Sequence, residues 1–108
     1  MTGMIDLGDM ERRIREDARL IVLKALAEMQ PDETLHSGYL QEAIATYGGI
    51  RKDREWVHDE LNWLAERGAI TIRRPGSVII ATLTEKGHRH LRREIVIEGV
   101  KRPSRPGS

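Results

Sequence analysis

The apolar positions in the first half of the chain recur at helical spacing in two separate stretches. Between Met10 and Met29 they fall at steps of three and four residues, with arginine and glutamate opposite them, which predicts one long amphipathic helix. Asp9 can cap its first turn, and Pro31 is expected to end it because proline disfavours the α conformation in the residue before it. We expect this helix to be the scaffold of the fold.

A shorter helix is predicted in the second stretch, after a short loop. Its apolar stripe runs from Leu40 to Tyr47 and covers about three turns. Ser37 is placed to cap its start. The pair Gly48 and Gly49 supplies the left-handed residue that commonly ends a helix.

A third helix is predicted at the start of the second half of the chain. Asp53 can cap it, it runs to Arg67, and Gly68 is placed to end it. Three of its apolar positions are spaced so that they face the core, namely Val57, Leu61 and Leu64. The polar residues between them therefore face outward.

The hydrophobic period changes from helical to alternating after the third helix. The segments AITIR and SVIIATL are rich in β-branched residues and flank a turn that contains Pro75 and Gly76. This pattern predicts a β-hairpin, with a loop longer than the two residues of a tight turn. Thr84 then caps a fourth helix, which carries Glu85 in its first turn.

Length and element order together predict a single α+β domain. The chain has 108 residues, enough for one modest core. We predict a flexible lead-in over residues 1–9, a domain over residues 10–98 and a flexible basic tail over residues 99–108. Within the domain, three helices, a β-hairpin wing and a C-terminal helix follow one another in the order of a winged helix-turn-helix.

The basic residues are concentrated in the second half of the chain, although the net charge is only +1. Residues 1–50 carry five basic and nine acidic residues, a charge of −4, and residues 51–108 carry thirteen and eight, a charge of +5. This asymmetry indicates an anionic partner for the second half.

The absence of cysteine excludes disulfides and thiolate metal sites. Because the N-terminus is acidic and no long apolar run is present, we expect a cytoplasmic protein with no signal peptide and no membrane span.

A family resemblance rests on the third helix and on the segments that follow it. The apolar spacing from Val57 to Ile70, the hairpin, and then the segment LTEKG are similar to the recognition helix, wing and next helix of bacterial winged-helix regulators of the ArsR and MarR type. Over about residues 8–106, including the ending GVKRPSRP, the chain more specifically resembles small ArsR-like winged-helix proteins encoded by Mu-like transposable phages and prophages.

The resemblance implies a DNA-binding transcription regulator. In such a protein the helix from Asp53 to Arg67 would read the major groove of double-stranded DNA, and the first and last helices would form a homodimer. The metal-sensing members of the ArsR type carry a cysteine motif in the recognition helix. This chain has no cysteine, so metal sensing is not implied for it.

The candidate DNA-binding residues lie on the third helix, just before it, and at the tip of the hairpin. Arginine can bind guanine edges, asparagine can pair with adenine, and basic side chains neutralise phosphates. These candidates are Arg51, Lys52, Arg54, His58, Asn62, Arg73 and Arg74. Three carboxylates on or near the same helix face, those of Glu55, Asp59 and Glu60, oppose phosphate binding, and a merely solvated helix face is the alternative.

Two tryptophans and two histidines have other possible roles. Trp56 and Trp63 are seven residues apart, hence on one helix face, where they either pack against the core or form a partner interface; Trp63 is the better candidate for an interface. His88 and His90 lie two apart on a helix and point to opposite sides, so no metal site is predicted. We find no catalytic motif or cofactor-binding loop, and predict neither enzymatic activity nor a cofactor.

Two hypotheses therefore follow for the function. In the first, the protein is a phage or prophage DNA-binding regulator: Lys52, Arg73 and Arg74 anchor phosphates, and Arg54, His58 and Asn62 contact bases. In the second, it is a winged-helix interaction module for phage assembly or genome packaging, which binds a phage protein through its tryptophan face. The carboxylates of the third helix keep the second hypothesis open.

Overall fold

A computed structural model describes residues 6–105, over which the chain forms four helices and one three-stranded antiparallel sheet. The helices are α1 (Leu7–Ala27), α2 (Ser37–Gly48), α3 (Arg54–Glu66) and α4 (Glu85–Leu91). The strands are β1 (Thr34–His36), β2 (Ile70–Arg73) and β3 (Ile80–Leu83). The predicted α+β class is confirmed, and β1 is an additional element. The predictions for residues 1–5 and 106–108 lie outside the described part of the chain.

Helix α1 begins three residues before the predicted start. The Asp6 carboxylate accepts hydrogen bonds from the amides of Gly8 and Asp9, at 3.0 and 3.1 Å, and is therefore the N-cap. The prediction that Asp9 caps the helix is wrong. Asp9 lies inside the first turn, where it pairs with Arg12 and Arg13. The part of the predicted lead-in from residue 7 to residue 9 is thus helical.

Strand β1 lies at the edge of the sheet, beside β3. Helix α1 ends at Ala27, before the predicted stop at Pro31, and β1 follows after a short connection. Thr34 pairs with Thr82 of β3, and their hydroxyl oxygens are 2.8 Å apart. The strand has only three residues, too few for an alternating pattern to predict it. Its effect is to attach the connection between α1 and α2 to the hairpin.

Helix α2 is capped by His36, and the prediction that Ser37 caps it is wrong. The Nδ1 atom of His36 accepts a hydrogen bond from the Gly38 amide at 2.9 Å. Ser37 is the first residue of the helix and is buried, because its hydroxyl points toward the sheet and accepts a hydrogen bond from the Ile79 amide at 3.1 Å. The helix ends as predicted, since Gly49 is left-handed with φ 66°.

Helix α3 and the hairpin begin and end close to the predicted positions. The Asp53 carboxylate accepts a hydrogen bond from the Trp56 amide at 2.9 Å, and Gly68 is left-handed with φ 79°. Strands β2 and β3 are antiparallel neighbours, and residues 74–79 form the loop between them. As predicted, this loop is longer than two residues. Thr84 caps α4 by accepting a hydrogen bond from the Gly87 amide at 3.1 Å.

The core lies between α1, α2, α3 and the inner face of the sheet. Its largest fully buried apolar side chains are Leu23, Leu26, Leu40, Ile44, Leu61, Leu64, Ile70 and Ile79. No helix within residues 6–105 has both the length and the apolar character needed to cross a membrane.

The segment after α4 packs back onto the domain, in contrast to the flexible tail predicted from residue 99. Val100 is 5% exposed, and Pro103 is also buried. The Lys101 amide donates a hydrogen bond to the Glu16 carbonyl of α1 at 3.3 Å. Burial of Ile97 and Val100 offsets part of the entropy cost of ordering the C-terminal segment. The basic composition of the segment does not indicate this hydrophobic contribution.

Gly87 fills a position with no room for a side chain. A Cβ atom there would lie 2.5 Å from the Ala69 carbonyl oxygen and 2.5 Å from the Leu83 side chain. We expect Gly87→Ala to lower the free energy of unfolding by about 1–3 kcal/mol, the usual cost of overpacking, as measured by urea denaturation. Gly8→Ala is the matched control, because a Cβ atom there makes only an ordinary contact at 3.4 Å. Equal stability of Gly87→Ala and Gly8→Ala would contradict this packing.

Candidate nucleic-acid interface

The tip of the hairpin is basic and is joined to α3 by one hydrogen bond. Arg73 is the last residue of β2, and Arg74 and the five residues after it belong to the loop. The Arg74 guanidinium donates to the side-chain oxygen of Asn62 on α3. Both arginines are exposed. The hairpin tip and the outer face of α3 therefore form one surface.

His58 lies on the flank of α3 that faces α2 and the sheet. Its Nε2 atom is 3.0 Å from the hydroxyl oxygen of Ser37, which also accepts the hydrogen bond from the Ile79 amide. Ser37 thereby fixes the ring of His58 against the start of α2. The sequence does not indicate this role for Ser37, because the contact joins two helices and depends on their packing.

The pKa of His58 is lowered from its ordinary value. Partial burial is the largest cause, followed by the positive charges of Arg54 and Arg74, whereas Asp59 and Glu55 act in the opposite direction. The side chain is therefore neutral at pH 7. A neutral imidazole at this position can still donate or accept one hydrogen bond.

Stability should fall at acidic pH because of this His58 pKa. The folded pKa lies below the unfolded value of about 6.5, so the unfolded state binds more protons and stability decreases as the pH drops below that value. We expect the difference in free energy of unfolding between pH 7.5 and pH 5.5 to be larger for the wild-type protein than for His58→Gln. Urea denaturation at the two pH values measures this change in the free energy of unfolding. If the change is the same for the wild-type protein and for His58→Gln, His58 does not contribute to the pH dependence.

Two of the three carboxylates predicted on the groove-facing side of α3 are exposed, and the third is not. Glu55 and Asp59 are exposed. Glu60 is 2% exposed and points toward α1, where its two oxygens bind Arg15 and Arg19, the latter at 2.7 Å. The expectation that Glu60 opposes phosphate binding is therefore wrong, because its charge is neutralised in the interior. Its position beside Leu61 and Leu64 places it on the buried face.

The basic residues before and at the start of α3 differ in their contacts. Arg51, Arg54 and Arg73 are exposed and make no ion pair with any residue in the described range 6–105. The Nζ atom of Lys52 lies 5.5 Å from the centre of the Trp56 ring, so this side chain folds back against α3. The three arginines are consequently available to an anionic partner.

Both tryptophans pack against side chains of the same chain. The guanidinium of Arg15 lies 5.1 Å from the centre of the Trp56 ring. Arg19 and Arg67 lie over the Trp63 ring at 3.8 and 4.1 Å. A Cβ atom on Gly99 would come within 2.5 Å of Trp63, which shows how closely the C-terminal segment covers the ring. These contacts correspond to the packing interpretation and leave less of Trp63 available to a partner.

His88 and His90 point to opposite sides of α4, as predicted. His88 pairs with Glu33 at 2.7 Å and thereby lowers the pKa of that carboxyl. His90 is fully buried; its Nδ1 atom accepts from the Ile97 amide at 3.1 Å, and its Nε2 atom is 3.0 Å from the Lys101 carbonyl. His90 thus holds the C-terminal segment in place. Within residues 6–105, no three potential His or carboxylate ligands come together.

A sequence relative connects the chain to phage Mu. Over 90 residues the chain is 30% identical to the uncharacterized protein gp26 of Escherichia phage Mu, and the match covers 83% of the chain and 91% of gp26. The chain belongs to the gp26 family. The expected relation to proteins of Mu-like phages is thereby confirmed. No protein-family model matches the chain.

Two solved structures share the fold of this gp26 family member. The complex structure of hsRosR-S1 matches with a TM-score of 0.54 and 15% identity, over 65% of the chain and 60% of the RosR chain. That of hsRosR-S4 matches with a TM-score of 0.55 and 17% identity, over 71% and 67%. The chain thus spans about two thirds of the RosR chain or less. At this identity the likeness shows a winged-helix fold and nothing about the residues of the candidate interface.

Proposed function

We propose that the protein binds double-stranded DNA through the surface formed by the outer face of α3 and the tip of the β2–β3 hairpin. The observation that carries the proposal is the hydrogen bond from Arg74 to Asn62, since it joins a basic hairpin tip to the exposed side of α3. In a winged-helix fold these two elements correspond to wing and recognition helix. Arg51, Arg54 and Arg73 surround the surface without intramolecular ion pairs in the described chain.

The residues divide into phosphate anchors and base readers by their position. Arg73 and Arg74 at the hairpin tip, with Lys52 before α3, would bind phosphates and fix the register of the protein on the duplex. Arg54, His58 and Asn62 occur at intervals of four along α3 and therefore share one flank of the helix. We propose that Arg54 and Asn62 contact base edges in the major groove, and that His58, whose Nε2 atom lies 3.0 Å from the Ser37 hydroxyl oxygen, does so only through its other nitrogen.

We further propose an ArsR-like transcription regulator that acts as a homodimer through α1 and α4. The surface that supports a dimer is an apolar groove of about 1120 Å³ whose walls are α1 and α2, with Leu91 contributed by α4. Tyr39 and Tyr47 of α2, on its rim, are 56% and 80% exposed, so we propose that α2 joins α1 and α4 in the interface and that a symmetric partner covers the two tyrosines. Sedimentation velocity should give twice the monomer mass for the wild-type protein and the monomer mass for Tyr47→Glu.

The test of DNA binding is a gel shift of the purified protein with fragments of its own genetic neighbourhood, at two salt concentrations. A regulator should shift one fragment more strongly than the others, and all shifts should weaken steeply with salt because phosphate binding releases counterions. Affinity that does not change between low and physiological salt would refute the proposal.

A second candidate function, an interaction module for a phage protein in assembly or genome packaging, is favoured by one observation. Glu55, Asp59 and Glu66 are all exposed and form an acidic ridge on the outermost side of α3. A basic surface on a protein partner would complement this ridge. Under this alternative, Glu55→Lys would abolish capture of the partner from phage-infected cells, and the purified protein would not bind DNA in the gel shift.

A further inference from the structure

The contact between Arg74 and Asn62 fixes which part of the Asn62 amide is available to a ligand. A guanidinium carries only donors, so the atom of Asn62 that faces Arg74 must be the oxygen. The NH₂ group of Asn62 then points away from Arg74. Asn62 therefore presents donors at the surface, beside the further donors of Arg54 and Arg74.

This orientation competes with the usual pairing of asparagine with adenine. That pairing uses both ends of the amide, since the oxygen accepts from N6 and the nitrogen donates to N7. The Asn62 oxygen already accepts from Arg74, which leaves one of its two lone pairs for any base. A donor group instead requires acceptors, and guanine presents two adjacent ones in the major groove, O6 and N7.

The acidic ridge of α3 complements the other base of the same pair. Glu55 and Asp59 are exposed on the same side of α3 as Asn62, and both oppose the lowering of the His58 pKa that burial, Arg54 and Arg74 cause. Carboxylates repel phosphates but accept hydrogen bonds from the major-groove amino groups, N4 of cytosine and N6 of adenine. The partner of adenine is thymine, which presents a single acceptor and a methyl group that needs an apolar contact, whereas the outermost described positions of α3 are polar.

We propose that the exposed face of α3 reads G·C pairs, with Arg54 and Asn62 donating to guanine and Glu55 and Asp59 accepting from cytosine. This inference rests on the proposed DNA binding and names the bases that the surface would select. It also assigns a role to the carboxylates that otherwise only oppose binding.

The test is a selection of bound duplexes from a pool with randomised central positions, carried out with the wild-type protein and with the double variant Glu55→Ala, Asp59→Ala. The wild-type protein should enrich G·C pairs. In the double variant, affinity for the unselected pool should rise because two negative charges are removed, whereas the preference for the selected duplexes should fall about tenfold. A solely repulsive role for the carboxylates would raise affinity and leave the preference unchanged, which would overturn the inference.

The remaining outcomes separate this inference from the proposed function. Salt-dependent binding with no enrichment, or with enrichment of A·T pairs, would overturn the reading of G·C pairs and leave DNA binding intact. No binding to any duplex at low salt would overturn both. Asn62→Asp tests the donor assignment in the same selection, because it replaces the NH₂ donor with an acceptor; unchanged enrichment of guanine by this variant would also overturn the inference.

Discussion

Glu60→Ala should lower the free energy of unfolding by about 3–5 kcal/mol, the cost of breaking a buried ion pair from one side. Glu60 is 2% exposed and binds both Arg15 and Arg19. Arg19 is itself 8% exposed, and its remaining polar contact is the Gly99 carbonyl at 2.8 Å. Without Glu60, the Arg19 guanidinium remains buried with no counter-ion.

Urea denaturation followed by tryptophan fluorescence measures this effect. Glu66→Ala is the matched control on the same helix, because Glu66 is exposed and its one ion pair within residues 6–105 is with its neighbour Arg67, at 3.3 Å. The control should change the free energy of unfolding by no more than about 0.5 kcal/mol. A loss below about 1 kcal/mol for Glu60→Ala would show that Arg19 finds another anion or water, contrary to the burial of this cluster.

The double variant Arg73→Ala, Arg74→Ala should weaken DNA binding roughly 10- to 100-fold at 0.1 M salt. Each phosphate contact contributes about 0.9 to the slope of log affinity against log salt concentration, so the loss of two contacts should reduce that slope by about 1.8. Fluorescence anisotropy with a labelled duplex at several salt concentrations gives both quantities. Loss of the Arg74 contact should also free the Asn62 side chain.

The control for this prediction removes the same charge elsewhere. Arg12 and Arg13 are exposed at the start of α1 and pair with Asp9. Arg12→Ala with Arg13→Ala should leave the slope within about 0.5 of the wild-type value, because the proposed DNA surface does not include them. If both double variants reduce the slope equally, the effect is one of net charge and the hairpin tip has no special role.

The sequence predicts those elements of the fold that depend on local chemistry. The cap at Asp53, the left-handed Gly49 and Gly68, and the change of period after Gly68 all depend on residues adjacent in sequence. Strand β1 is not predictable in this way, since it exists because Thr34 pairs with Thr82, 48 residues away. The ordered C-terminal segment likewise depends on distant contacts.

The sequence predicts which residues belong to the candidate site, but it does not predict how their side chains are arranged. Helical spacing places Arg54, His58 and Asn62 on one flank of α3. Spacing also puts Glu60 on the buried face with Val57 and Leu64, but only its ion pairs with Arg15 and Arg19 of a different helix explain how a carboxylate is buried there. The orientation of Asn62 depends similarly on Arg74, twelve residues away across the hairpin. Both contacts change the chemistry assigned to the surface.

Directed cleavage of bound DNA tests the central claim most directly. The chain has no cysteine, so Ser77→Cys at the hairpin tip gives a single attachment point for an iron–EDTA reagent that cuts nearby DNA backbone. Arg12→Cys is the matched control; Arg12 is exposed at the start of α1, outside both the proposed DNA surface and the apolar groove. If the hairpin tip contacts DNA, the reagent at position 77 should cut bound duplex at discrete positions and the reagent at position 12 should not. Cleavage from position 12 alone would contradict the proposed surface.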